Sequence, residues 1–279
     1  MSTYTESVEK ARSYYNSTDA DLFYFTIWGG EDIHIGLYHS DEEPIFDASR
    51  RTVDRMIQKA APIDENTRVL DLGGGFGGAM RYLAKKYGAH CTVLNLSEVE
   101  NERDREMNKE QGVEDRVEVL DGNFADIPRG DAEFDLVWSQ DAILHSDNRG
   151  KVIEEAARVL KPGGMLVMTD PMQVDDATGE GLQPIYDRIH LDSLASPGFY
   201  KQAAEKAGLI VVEFEEHAEQ VARHYGRVLK ELQGREGELQ EAGVSDDYIQ
   251  RMKKGLQHWV QGSHNGLLTW GILVFKKPA

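Results

Sequence analysis

The run Val69-Leu70-Asp71-Leu72-Gly73-Gly74-Gly75-Phe76-Gly77-Gly78 decides the fold. A β-branched, apolar stretch enters a cluster of glycines and leaves it as a helix-forming segment, Gly78–Tyr87. A strand that turns through glycines into a helix brings backbone N–H groups to the strand's carboxyl end, where a ligand can come close to the main chain. Outward from this element the alternation repeats. Strands are predicted over Arg68–Leu72, Cys91–Asn95, Arg116–Leu120, Phe134–Trp138, Met165–Thr169, Leu209–Phe214 and Leu267–Phe275. Helices are predicted over Gly78–Tyr87, Glu98–Gln111, Arg149–Leu160 and Gly198–Ala207, with a sharp turn at Lys161-Pro162-Gly163-Gly164. Such alternation gives an α/β, Rossmann-like sheet, mostly parallel and covered on both faces.

Three stretches stand outside the alternation. Residues 1–60 precede the first strand, about 173–196 interrupt the step after the fifth, and about 217–264 separate the sixth from the seventh. In the last of these, Tyr225, Val228, Leu229 and Leu232 recur at helical spacing. Ligands of open α/β sheets sit at the carboxyl ends of the strands, and insertions there are placed to cover them. The expected organisation is therefore an N-terminal helical lid segment, 1–60, and a main domain, 61–279, that carries two further lid insertions.

Composition narrows the function. The chain has 279 residues, 40% hydrophobic and 9% aromatic, enough for a sizeable core. Asp plus Glu number 49 against 31 Lys plus Arg, a net charge of −18. That surface repels nucleic acid and anionic membrane. It suits either an ordinary solvated acidic surface or a salty cytoplasm. The single cysteine, Cys91, excludes a disulfide framework and a multi-thiolate metal site. His34, His145 and His190 lack an H-x-x-x-H spacing, so no metal is expected, and no G-x-S-x-G element offers acyl transfer. No apolar run is long enough to span a bilayer, and the first residues lack the apolar core of a signal peptide. A cytoplasmic monomer acting on a small molecule is the expectation.

The glycine run also satisfies the dinucleotide pattern G-x-G-x-x-G through Gly73, Gly75 and Gly78. Asp71 discriminates between ligands. A carboxylate beside a pyrophosphate is repulsive, and beside a cationic amino group it is favourable. S-adenosylmethionine carries an α-ammonium and a sulfonium, so the run favours it over NAD. Asn95, followed by Leu96, ends the second strand and offers an amide oxygen to ribose hydroxyls, with Glu98 nearby. Asn123 and Phe124 follow the third strand, suited to the adenine amino group and ring. Gln140, Asp141 and His145 follow the fourth, and Asp170, Pro171 and Met172 the fifth.

These residues resemble a known family. Asp71–Gly78, Asp121–Phe124 and Leu160–Gly164 look like a class I S-adenosylmethionine-dependent methyltransferase. Trp28–Gly36, Leu94–Ser97, Asn101–Arg103, Trp138–Ser146, Thr169–Gln173, Asp187–Leu194 and His258-Trp259 are similar to the sarcosine/dimethylglycine N-methyltransferases, which form glycine betaine. More distantly, Ser139–His145 resembles the phosphoethanolamine methyltransferases. The resemblance implies a seven-stranded sheet of order 3-2-1-4-5-7-6 with an antiparallel last strand. It implies cofactor contacts at Asp71, Gly73, Gly75, Asn95, Leu96, Asn123, Phe124 and Gln140, with Tyr24 and Trp28 closing over the methionine part. The tyrosine–histidine pair of the phosphobase enzymes falls on Tyr15 and His145, the expected catalytic residues.

The acceptor of such an enzyme is a zwitterion, so its carboxylate needs a local cation. Arg188 is the expected anchor, with Arg227 and Arg223 next, because a guanidinium meets a carboxylate with two parallel hydrogen bonds. Aromatic faces suit a methylated ammonium, and Trp28, Trp138 and Tyr225 are candidates. Asp141, Pro171 and Met172 are expected to line the acceptor pocket.

Overall fold

The computed structural model describes residues 4–179, 181–189 and 193–279. Its sheet consists of β1 (Arg68–Leu72), β2 (His90–Asn95), β3 (Val117–Asp121), β4 (Phe134–Gln140), β5 (Leu160–Thr169), β6 (Ile210–Glu216) and β7 (Gly271–Lys276). The order is 3-2-1-4-5-7-6, with β1 to β5 parallel and β7 antiparallel to both β5 and β6. This is the class I methyltransferase arrangement.

Side chains alternate between the two faces, as strand geometry requires. Val69, Val93, Leu136, Val167 and Ile272 join the core under α3 (Ile45–Lys59) and α4 (Gly78–Tyr87). Leu70, Leu94, Val137, Leu166 and Leu273 join the core under α6 (Arg149–Val159) and α8 (Pro197–Lys206). Helix α5 (Glu98–Glu110) follows β2.

The three stretches outside the alternation meet in a third core above the strand ends. It gathers Phe23 of α2 (Thr18–Ile27), Ile185 of α7 (Gln183–Ile189), Val228 of α9 (Glu219–Gly234) and Leu239 of α10 (Glu236–Glu241) around Leu256 and Trp259 of α11 (Asp246–His264). Tyr14 and Tyr15 of α1 (Glu6–Tyr15) pack against it. Phe76, Leu144 and Trp270 reach it from the sheet side, so lid and sheet share an apolar boundary. Thr5, Ser17, Ser97, Asn148, Ser196 and Ser245 each accept a backbone N–H at the start of a helix. Each such cap is worth about 1 kcal/mol.

Two expectations change. The Lys161–Gly164 turn is an excursion inside β5 rather than a connection before it. Leu160 already pairs with Phe134, and pairing resumes at Leu136 with Met165. Gly163 holds a left-handed φ of 81° and donates its N–H to Lys277 O. The expected last strand, Leu267–Phe275, is split. Leu268–Thr269 pairs with Met172–Gln173 in a separate ribbon, and the sheet resumes at Gly271. Among the described residues, no helix is long and apolar enough to cross a membrane.

The third core should be a cooperative part of the fold. Leu256 is fully buried in it, so Leu256→Ala should cost about 2–5 kcal/mol by lost contacts and a residual cavity. Urea unfolding would measure this, and an unchanged midpoint would mean that the lid core unfolds independently of the sheet.

Candidate active site

Three adjoining cavities open at the carboxyl ends of β1, β2 and β4. The first, about 90 Å³, is a cleft between the glycine turn and the ends of β2 and β3, walled by Asn95, Leu96, Asn123 and Phe124. The second, about 30 Å³, is an acidic bay beside Gly73–Gly75, walled by Asp71, Asp32 and Gln140. The third is a chamber of about 630 Å³ beneath the lid helices, with Tyr15, Tyr24, Trp28, His145, Tyr225 and Trp259 on its walls. His145, Tyr15 and Asp141 line both cleft and chamber.

Glycines shape the first two cavities. Gly73 has φ 77°, and a Cβ there would collide with Ala142 Cβ. Gly75 has φ 54°, and a Cβ would stand 3.2 Å from Ile33 Cδ1 of the lid. The backbone is thus pressed between sheet and lid, with no room for side chains.

The two carboxyls of the acidic bay are compensated unequally. Asp71 is buried, and its carboxyl is pushed well above the usual range by burial and by the nearby Asp104 and Asp32. Burial alone would raise Asp32 too, but His34, Arg50 and Arg81 hold it below its ordinary value, and Arg50 Nη2 lies 2.8 Å away. Gln140 Oε1 accepts from Trp138 Nε1 at 2.8 Å, while Gln140 Nε2 is buried with no partner among the described residues. An ammonium entering the bay would favour the ionised form of Asp71, and with the spare Gln140 N–H donor the bay matches an amino-acid head.

Asp141 ties the lid to the sheet. It stands just past β4 with φ 52°, a strained value for a residue with a Cβ. Its Oδ2 accepts Ile35 N–H of the lid at 2.6 Å. Its Oδ1 accepts Thr169 Oγ1 at 2.8 Å and Trp270 Nε1 at 2.7 Å. Burial raises its pKa, against the lowering pull of His34 and these hydrogen bonds. Asp141 reaches the chamber wall, as expected of a substrate residue, but both oxygens are engaged by protein donors.

Tyr15 and His145 come together from sequence positions far apart. Tyr15 Oη lies 2.8 Å from His145 Nε2, and the rings meet edge to face at 5.4 Å. His145 sits in a short 3₁₀ turn, Ile143–His145, directly after the Asp141 strut.

Comparison with known proteins decides the family. A methyltransferase-domain family profile matches residues 70–168. The chain is 57% identical over 272 residues to a sarcosine/dimethylglycine N-methyltransferase of Halorhodospira halochloris, covering 98% of this chain and 97% of the relative. It is 52% identical to a protein of the same description from Aphanothece halophytica, at 97% coverage of both. The chain belongs to the sarcosine/dimethylglycine N-methyltransferase family. A Galdieria sulphuraria structure, proposed to be a sarcosine dimethylglycine methyltransferase, is similar with a TM-score of 0.90 and 40% identity over 95% of this chain and 99% of that one. A Haemonchus contortus phosphoethanolamine N-methyltransferase shares the fold, with a TM-score of 0.78 at 20% identity over 96% of this chain and 60% of that one.

S-adenosylmethionine is the methyl donor of this methyltransferase, and the observed residues fit it. The bay matches its α-ammonium, and the cleft has polar walls and an aromatic face for a nucleoside. One residue of the cleft escaped the sequence reading. Glu98, noted near the end of β2, pairs outward with Arg12 at 2.6 Å and Asn16 at 2.8 Å. Glu100 lies in the cleft, buried, with Asn95 Nδ2 donating to its Oε2 at 2.9 Å. Burial pushes its pKa up to about 7. The signal was present: Ser97-x-x-Glu100 is a capping-box spacing that puts Glu100 on the first turn of α5.

Other expected site residues lie elsewhere. Tyr24 and Trp28 face the chamber rather than the bay or cleft, because Trp28 is packed among Phe23, Tyr24, His224 and Tyr225. Pro171 lines the chamber, but Met172 is fully buried in the sheet core and pairs with Thr269. Trp138 is likewise buried beneath the sheet. Arg227 turns away to Glu231 at 2.8 Å and Glu43 O at 3.2 Å, and Arg223 pairs with Asp41 at 2.7 Å. The Arg188 side chain lies outside the described residues, although its helix α7 lends Gln183, Pro184 and Asp187 to the chamber. Among the described residues no group of acidic, histidine or cysteine side chains forms a metal site.

Glu100 gives a pH test. A carboxyl raised by folding contributes its relative stability below the unfolded pKa and loses it as pH rises through about 7. Glu100→Gln should therefore raise the ligand-free melting temperature at pH 8, change it little at pH 4, and weaken S-adenosylmethionine binding. Calorimetry at both pH values checks this, and equal shifts at both would refute the ionisation argument. Asp141→Asn should cost about 1–3 kcal/mol, because the amide puts a donor against a donor. The expected signature is faster proteolysis of the segment before Ile35 in the ligand-free enzyme.

Proposed function

We propose that the enzyme methylates the nitrogen of sarcosine and of dimethylglycine, so that its end product is glycine betaine. The observation that carries this reading is the identity to sarcosine/dimethylglycine N-methyltransferases over nearly the whole of both chains. The chamber supports it. Its walls include seven Tyr and Trp rings, which accept an alkylated ammonium by cation–π attraction. The reading needs no nucleic acid, membrane or partner subunit.

S-adenosylmethionine, bound in cleft and bay, supplies a methyl carbon activated by its sulfonium. Asp71 and Gln140 would hold the amino-acid head, Asn95 and Glu100 the ribose hydroxyls, and Asn123 and Phe124 the adenine. The acceptor must present a nitrogen lone pair. In displacement the nitrogen–carbon bond forms as the carbon–sulfur bond breaks, and the bond's electron pair stays on sulfur. Dimethylglycine becomes a quaternary ammonium with no proton left to lose, so deprotonation has to come first. His145, paired with Tyr15 where chamber meets cleft, is placed to accept that proton or to orient the neutral amine. Holding both reactants can supply about 7–11 kcal/mol of the barrier.

A second reading has one observation in its favour. Lys10, Arg251 and Lys254 all line the chamber, as a phosphobase acceptor would require. Incubation with labelled S-adenosylmethionine and separate glycine, sarcosine, dimethylglycine and phosphoethanolamine decides. Dimethylglycine and sarcosine should be turned over, glycine poorly and phosphoethanolamine not at all. Fastest turnover of glycine or phosphoethanolamine would overturn the assignment. His145→Ala should depress kcat while leaving S-adenosylmethionine binding close to wild type.

A further inference from the structure

An acceptor with a carboxylate must be held by a protein of net charge −18, and the described arginines first expected to do so point away from the chamber. Helix α11 offers a different arrangement. Tyr248, Arg251, Gly255, His258 and Trp259 follow one another at helical spacing, and all of them, with Lys254, line the chamber. Arg251 and Lys254 are exposed, and no carboxylate partner for either is present among the described residues. The Arg251 guanidinium lies over the Tyr248 ring at 5.7 Å, and Tyr248 Oη is fixed to Tyr14 Oη at 3.0 Å. The other charged side chains on the chamber wall have partners, although only that of Lys10 carries a charge. Lys10 pairs with Glu6 at 2.8 Å, Asp187 accepts Gln183 Nε2 at 2.7 Å, and Asp141 is bound by its strut. Arg251 and Lys254 are therefore the chamber-lining cations that no carboxylate engages among the described residues, on a chain where acids outnumber bases.

The floor below the two cations is a second observation. Trp259 is 1% exposed, and its Nε1 has no hydrogen-bond partner among the described residues; nor has Nδ1 of His258. Gly255, buried in mid-helix, leaves no side chain between Arg251 and Trp259.

We propose that this face of α11 is the carboxylate anchor of the acceptor, with the Arg251 guanidinium and Lys254 ammonium gripping the carboxylate while the amine points toward His145. The proposal rests on the methylated-glycine reading and adds the specificity residues to it. Selection against methylated amines without a carboxylate then follows from charge at the chamber mouth.

The test is steady-state kinetics on Arg251→Ala, Lys254→Ala and the double variant, with dimethylglycine and with N,N-dimethylethanolamine, which keeps the amine but lacks the carboxylate. Both sites are exposed on a helix, so the variants should fold. The double variant should raise KM for dimethylglycine about tenfold or more, the scale of a lost charge-assisted hydrogen bond. Its kcat should fall far less, and KM for dimethylethanolamine and binding of S-adenosylmethionine should hold. Arg251→Lys should recover part of the loss. Unchanged KM for dimethylglycine, equal losses for both amines, or a loss seen only in Arg188→Ala would each overturn the anchor. A wild-type enzyme inactive on every methylated glycine would instead overturn the acceptor assignment, and the anchor with it.

Discussion

The site depends on one carboxylate in an awkward backbone conformation. Asp141 takes three donors from three parts of the chain: the lid backbone at Ile35, the end of β5 at Thr169, and Trp270 just before β7. Other polar bonds also join lid and sheet, such as Arg81 to Glu31 and Arg12 to Glu98, but the Asp141 carboxylate is the one that ties the Ile35 backbone to the tips of β4 and β5. With it, Ile33 is set over Gly75 and the histidine turn over the cleft. A left-handed aspartate survives because its surroundings over-determine it, and such strain concentrates where geometry must be exact to a fraction of an ångström.

Around this strut the chemistry is divided by polarity. The bay holds carboxyl groups, the cleft mixes a carboxyl with hydrogen-bonding groups, and the chamber combines aromatic faces with Arg251 and Lys254. Tyr225 stacks on Trp259 with centroids 4.9 Å apart, and Trp28 meets Tyr225 edge-on at 6.0 Å. Rings so interlocked hold one another in place, and hydroxyl contacts such as Tyr14 to Tyr248 add to that packing. A sulfonium and an ammonium both gain from such surroundings, since each is a cation that binds water weakly once methylated.

Sequence made the sheet legible because strand periodicity and glycine punctuation are local signals. The glycine turn, five of the strands and the α4 bounds could be read within a residue or two of their final limits. The site was legible where a residue lies at a strand tip, as with Asp71, Asn95, Gln140 and His145. It was obscure where a long-range fold sets the direction of a side chain. Met172 and Pro171 are neighbours, yet only Pro171 faces the chamber, because the ribbon with Leu268–Thr269 turns Met172 inward. Arg227 and Tyr225 share a helix, but the apolar face of α9 takes the tyrosine and leaves the arginine to Glu231. Glu98 and Glu100 look interchangeable until α1 docks and Arg12 claims the former.

All four tryptophans are buried, and they are distributed around the site rather than scattered through the fold. Trp28 and Trp259 line the chamber, Trp270 is bonded to Asp141, and Trp138 is bonded to Gln140 at the bay. The molecule therefore carries its own optical probe. Indole emission from such dry surroundings lies to the blue, and each ring is one contact from a place where a ligand arrives or a lid closes. Filling of cleft, bay or chamber becomes visible as a change in intrinsic fluorescence, without a label and before any turnover.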